Sequence, residues 1–159
     1  MTFLQRSRLP LAWQNTGFVG LEHTEYLGNS LPKIAREKGG IIKKCTPVVV
    51  GEKNSNYNLV LEEIANDQRS EIIYAPEAFS LGECGFEGDK QVITMTRNRD
   101  GYPYQLRLDL LGEYQRQNLV TVATVLDKLH EATPLSISRR AFVEGVREVS
   151  KLTSFRGRW

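Results

Sequence analysis

Apolar positions along this chain change their period several times, and each change marks a new element. Residues 17–21 read as a short strand. Residues 31–42 place Leu31, Ile34, Ala35 and Lys38 on one helical face, and Ser30 and Pro32 make a favourable helix start. Residues 47–50 form a continuous apolar run, as expected of a strand covered on both faces. Residues 58–66 are helical, with Leu59, Val60, Glu62, Glu63 and Ile64 giving an amphipathic pattern, and 71–74 form another short strand. This β-α-β-α-β order predicts a parallel sheet joined by right-handed crossovers.

The texture changes after Ala75. Gly82, Gly85 and Gly88 predict a loop, and a phosphate cradle is disfavoured there because no helix follows. Residues 91–97 and 102–108 alternate apolar and polar positions around the turn signal Asn98-Arg99-Asp100-Gly101, which predicts a β-hairpin. Two helices follow. Over 114–130 the apolar stripe is Leu119, Val122, Ala123, Leu126 and Leu129, ended by Thr133-Pro134. Ser138 caps the second helix, whose inward positions are Ala141, Phe142, Gly145, Val146 and Val149. His130 falls near the end of the first helix, where a surface histidine suits the helix dipole. The predicted fold is α/β: a parallel sheet flanked by helices, with a β-hairpin insertion and two C-terminal helices.

Composition narrows the class. With 159 residues and 40% apolar content, one domain with a core is possible. The net charge of +2 is small and the basic residues are scattered, which argues against a nucleic-acid partner. Cys45 and Cys84 are isolated and lack metal-ligand spacing, so they read as reduced thiols. The N-terminal apolar stretch is too short and interrupted for a signal peptide or a membrane span. A cytoplasmic monomer with no membrane partner is the expectation.

Candidate chemistry concentrates in residues 17–53. His23 follows a predicted strand, and the loop leaving a strand's carboxyl end is where open α/β sheets bind ligands. Lys38 lies fifteen residues on, within Arg36-Glu37-Lys38-Gly39-Gly40. Around them stand Gly20-Leu21-Glu22-His23-Thr24, Leu27-Gly28, Ile34-Ala35, Glu37-Lys38-Gly39-Gly40-Ile41-Ile42-Lys43 and Pro47-Val48-Val49-Val50-Gly51-Glu52. In that order they resemble the signature of the Mur ligase superfamily, and more narrowly of the folylpolyglutamate synthases, including the bifunctional dihydrofolate synthases. Leu111-Gly112-Glu113-Tyr114-Gln115-Arg116-Gln117-Asn118 is similar to that family's Gly-x-His-Gln-x-x-Asn helix start. Arg156-Gly157-Arg158-Trp159 resembles its Pro-Gly-Arg segment. On this resemblance residues 17–155 read as part of a central ATP-binding domain. Residues 1–16 are an unmatched segment, and 156–159 are the start of a hinge to a C-terminal domain. No Gly-x-x-x-x-Gly-Lys-Ser/Thr loop occurs in the chain, so the expectation is a fragment that is inactive alone.

The resemblance implies an ATP-dependent amide ligase that adds glutamate to folate. The folate's γ-carboxylate attacks the γ-phosphate of ATP, and the amino group of L-glutamate then displaces phosphate from the acyl phosphate. Magnesium ions and fixed cations offset the repulsion between the two anions. The resemblance assigns His23 to magnesium, Lys38 to a carbamylated lysine that helps position the metal, and Asn118 and Arg158 to ATP. Folate or dihydropteroate and L-glutamate are the implied partners. Plainer readings stand beside these. His23 could tie down the strand end, Lys38 could be a helix-end cation, and Asn118 could be a local cap. Neutral imidazole is an uncommon magnesium ligand. Carbamylation needs a neutral amine, favoured by burial or by neighbours such as Arg36, Lys43 and Lys44. Glu22 for Asp, Tyr114 for His, Arg156 for Pro and the Gly39-Gly40 pair depart from the family pattern. The alternatives are a non-catalytic nucleotide-binding or structural domain, or a different Mur-type amino-acid ligase.

Overall fold

The computed structural model describes residues 14–16, 31–55, 57–134 and 136–154, with the backbone alone for 14–16, 31 and 32. The first sheet contains β1 (Gln14–Thr16), β2 (Val48–Val50) and β3 (Ile72–Tyr74), in that order and parallel throughout. Gln14 pairs with Val48 and Thr16 with Val50, while Val48 pairs with Ile72 and Val50 with Tyr74. The predicted strand at 17–21 lies outside the described residues. The described first strand is Gln14–Thr16, so the sheet begins within the segment that sequence reading left unmatched.

Both faces of the parallel sheet are covered, which explains the unbroken apolar run in β2. On one side α1 (Leu31–Gly39) and α2 (Asn58–Asp67) pack Ile34, Ala35 and Leu61 against Val50 and Tyr74, with Tyr57 between them. Val48 faces the same way, against Ile42 and Ala65. Val49 faces the opposite layer. Helix α1 stops at Gly39, short of the expected 42, and the chain turns through bonds from Ile41 N to Lys38 O and Ile42 N to Gly39 O. A Cβ at Gly39 would lie 2.5 Å from Ile64 Cδ1, so the α1–α2 approach uses that glycine. In α2 the buried face is Asn58, Leu61 and Ala65, and Leu59 is exposed.

After β3 a single turn, α3 (Ala75–Ala78), leads into an antiparallel sheet of β4 (Phe79–Glu87), β5 (Lys90–Arg97) and β6 (Tyr102–Leu108). The predicted hairpin is present, with Arg97 opposite Tyr102 and Gly101 at φ +67° in its turn. The predicted loop around Gly82 and Gly85 is instead strand β4. It pairs with β5 from Phe79↔Arg97 to Glu87↔Lys90, with an irregularity between Leu81 and Cys84. Past Phe79 both faces of this strand are exposed. It therefore carries no alternation for sequence reading to detect, and its glycines mimic a loop.

The last layer is α4 (Tyr114–Ala132), α5 (Arg139–Arg147) and α6 (Val149–Thr153). Ser138 caps α5 by accepting from Ala141 N at 3.1 Å, as its position predicts. The expected second helix breaks at Glu148, and Asp109 Oδ2 accepts from Ser150 N at 2.8 Å to start a third. The α4 stripe is Leu119, Val120 and Ala123 with buried Thr124, and the expected Val122 is exposed. That stripe meets Ile93, Met95, Leu106 and Leu108 of the antiparallel sheet, Val146 of α5, and Val49 of the parallel sheet in one core. Thr124 Oγ1 bonds Val120 O within the helix, which satisfies it.

An ion network ties the hairpin turn to α4. Arg97 binds Asp100 at 2.5 Å and Asp127 at 3.2 Å, Arg99 binds Asp127 at 3.1 Å and also Glu131, and Lys128 binds Glu131 at 3.1 Å. The Arg97 guanidinium holds the Asp100 carboxyl below its usual range, and Lys128, then Arg99, do the same to Glu131. A carboxyl lowered in the folded state contributes stability above its unfolded pKa, and that contribution disappears as pH falls through the folded value. Denaturant midpoints should therefore hold steady down to about pH 5 and fall below about pH 4. Arg97→Gln should flatten that acid loss. An equally steep loss in the variant would contradict the network's role.

Candidate functional site

Parallel strands that end at Thr16, Val50 and Tyr74 share one carboxyl edge, the edge at which ligands bind in open α/β sheets. In the segment leaving β2, Asn54 bonds back to the start of α2. Asn58 Oδ1 accepts from Asn54 N at 2.9 Å, while Asn54 O accepts from the backbone N–H of Tyr57 and Asn58. Lys53 pairs with Glu77, beyond the end of β3, and lies 5.1 Å from the centroid of the Tyr74 ring. Tyr74 donates to Glu62 Oε1 at 2.8 Å, and burial with that carboxylate raises its pKa. Tyr57 is buried, its hydroxyl has no well-formed hydrogen bond among the described residues, and burial with the Glu52 charge raises its pKa.

Helix α4 reaches this edge from the opposite face. A Cβ on Gly51 would stand 2.7 Å from Thr121 Oγ1, so the helix passes directly beside the end of β2. Asn118, one turn earlier, lies on the exposed part of the helix start, where its Nδ2 donates to Gln115 Oε1 at 3.0 Å. The cap position belongs to Glu113, and Asn118 is the fifth helical residue, so Asn118 is not a cap. Among the described residues its Oδ1 keeps no hydrogen bond, and an open amide acceptor suits a donor such as an exocyclic base amine.

Lys38 is half-buried in the last turn of α1 with Arg36. It thus belongs to the helix layer on the other face from Asn118, in the part of α1 nearest the amino end of β2, where Gly39 meets Ile64 and Ile42 packs with Val48. His23 and Arg158 lie outside the described residues. Among the described residues no group of three or more His, Cys, Asp or Glu could hold a metal ion. A lysine ammonium cannot ligate a cation, so Lys38 fits a metal only as its carbamate. Cys45 and Cys84 are free and exposed, and His130 is exposed in the last turn of α4. No helix among the described residues is long and apolar enough to cross a membrane.

One residue that controls this edge escaped sequence reading. Gln91 is fully buried in β5, on the same face as Ile93 and Met95. Its Nε2 donates to Leu110 O at 2.6 Å and Gly112 O at 3.3 Å, and its Oε1 accepts from Arg116 Nε at 2.9 Å. One side chain thus clamps the segment entering α4 and its first turn, just ahead of Asn118. The signal was present: Gln91 is a polar residue at an inward position of an alternating strand, and buried polar groups need partners.

No family-wide sequence profile matches the chain. A Schizosaccharomyces pombe protein named "Probable dihydrofolate synthetase" is 34% identical over 133 residues, 83% of this chain and 30% of its own length. The apo form of L. casei folylpolyglutamate synthase superposes with a TM-score of 0.73 at 25% identity, covering 82% of this chain and 32% of its own. Over this region the chain belongs to the folylpolyglutamate and dihydrofolate synthase family. A folylpolyglutamate synthase complex with AMPPCP and folate matches with a TM-score of 0.72 at 25% identity, over 82% of this chain and 32% of its own. The chain spans about 30% of the length of the curated relative, and the synthase fold is of the Mur ligase type.

Gln91→Met keeps the volume and removes the donor and acceptor. It should destabilise the chain by about 1–3 kcal/mol, because the Leu110 and Gly112 carbonyls and Arg116 lose their partner. Gln105→Met, on an exposed position of β6, should stay within about 0.5 kcal/mol. Urea denaturation of the two variants checks this, and equal stabilities would contradict the clamp.

Proposed function

We propose that this segment is part of an ATP-dependent ligase that joins L-glutamate to folate through an acyl phosphate. The observation that carries the reading is the likeness to a folylpolyglutamate synthase solved with AMPPCP and folate. The local geometry supports it: α4, whose start carries an exposed amide, passes beside Gly51 at the carboxyl end of β2, ahead of the Asn54–Asn58 hydrogen bond. In this reading residues 17–155 contribute to the central ATP-binding domain. The Asn118 side chain receives the adenine's amine, and Arg158 offers its guanidinium to the phosphates. His23 and a carbamate on Lys38 would hold magnesium, which supplies charge neutralisation at the phosphates. Carbamylation turns Lys38 from a cation into an anion, so the ε-amine must first lose its proton.

The test uses a protein in which this segment is joined to a phosphate-binding loop, with folate- and glutamate-dependent phosphate release as the readout. His23→Ala and Lys38→Ala should each lower turnover by about 10²-fold or more while the unfolding midpoint holds. Short carboxylates should partly restore Lys38→Ala, and added magnesium should partly restore His23→Ala. A Lys38→Ala protein with full turnover at limiting bicarbonate and magnesium would leave Lys38 as a helix-end cation only.

A further inference from the structure

Away from the carboxyl edge, a cavity of about 200 Å³ opens between the antiparallel sheet, α4 and α5. Its walls include the rings of Phe79, Tyr104 and Phe142, and its polar lining includes Arg97, His130 and Arg139. The three rings meet edge to face, with Tyr104 6.2 Å from Phe79 and 6.0 Å from Phe142. Such rings offer flat faces and positive edges to a further aromatic guest. At a volume below the roughly 300–1,000 Å³ of sites for drug-sized ligands, the cavity admits a single ring.

The charges around it are unequal. Arg97 is engaged by Asp100 and Asp127. Arg139 is not: among the described residues it has no ion pair, and its one side-chain hydrogen bond goes to the Tyr102 hydroxyl. Its guanidinium lies 3.6 Å from the centroid of the Tyr102 ring and 5.9 Å from that of Tyr104, which holds the planar group in place. A guanidinium carries five N–H donors, so most of them stay available, in the fork geometry that matches a carboxylate. Asp127 is the acidic residue in the lining, and its carboxylate is already shared by Arg97 and Arg99.

We propose that this cavity binds a small monocyclic aromatic carboxylate, with its ring against Phe79, Tyr104 and Phe142 and its carboxylate on Arg139. The site is separate from the nucleotide edge. His130 lies twelve residues beyond Asn118 in the same helix, roughly 18 Å along its axis. The inference does not depend on the ligase reading, since both ring wall and cation belong to the antiparallel sheet and α5.

Benzoate is the probe, titrated into the 159-residue chain with NMR detection. Saturable shifts should appear at Tyr104, Phe142 and Arg139. Benzyl alcohol, which has the ring without the charge, and acetate, which has the charge without the ring, should both bind at least about tenfold more weakly. Arg139→Gln, on an exposed position, should weaken benzoate by about tenfold or more while the unfolding midpoint stays. Ala123→Leu, which fills the cavity from α4, should also weaken it. Absence of saturation within benzoate's solubility would overturn the proposal. So would equal binding of benzyl alcohol, or unchanged affinity in Arg139→Gln.

Discussion

Two sheets of opposite character share one helix. The α4 stripe Leu119, Val120 and Ala123 lies in a single buried cluster with Val49 of the parallel sheet and with Ile93, Met95, Leu106 and Leu108 of the antiparallel sheet. The parallel sheet would otherwise expose the Val49 face of its most apolar strand, and the antiparallel sheet would expose its inward row. Burial of such side chains contributes about 1.5–3 kcal/mol each, and α4 supplies it to both sheets at once. The hairpin turn is pinned to the same assembly. Asn98 donates to Glu77 O at 3.0 Å, and the Arg97–Asp127 and Arg99–Asp127 pairs reach α4.

This packing carries the proposed chemistry. Because α4 leans on Gly51 and is clamped at its start by Gln91, Asn118 is fixed against the carboxyl edge by groups that themselves make no contact with a ligand in this reading. The Tyr57 hydroxyl and the Glu52 carboxylate sit at the same edge, in a setting where burial raises a phenol's pKa. Lys38 belongs to the layer on the other face, held by the α1–α2 contact at Gly39.

Elements that leave a run, a period or a turn or cap residue in the chain were legible in the sequence. The continuous run of β2, the alternation of β5 and β6, the Asn98–Gly101 turn and the Ser138 cap all have direct one-dimensional signatures. Strand β4 was not legible, because both its faces meet solvent and pairing with β5 alone defines it. In α4 the stripe was placed two positions away on one turn: Val122 and Val120 have the same apolarity, and tertiary packing chose Val120. The break at Glu148 depends on Asp109, which is distant in sequence. As for the candidate site, the motif singled out Asn118 and Lys38, but nothing local revealed that their helices cover opposite faces of the sheet. Gln91 was visible only as a polar residue out of place.

The most direct test of the account is a crystal structure of a protein that contains this segment, with an ATP analogue bound. The account predicts the adenine at the carboxyl edge, with an atom of the Asn118 side-chain amide about 3 Å from a polar atom of the base. A base bound away from the start of α4, with Asn118 still facing solvent, would contradict it.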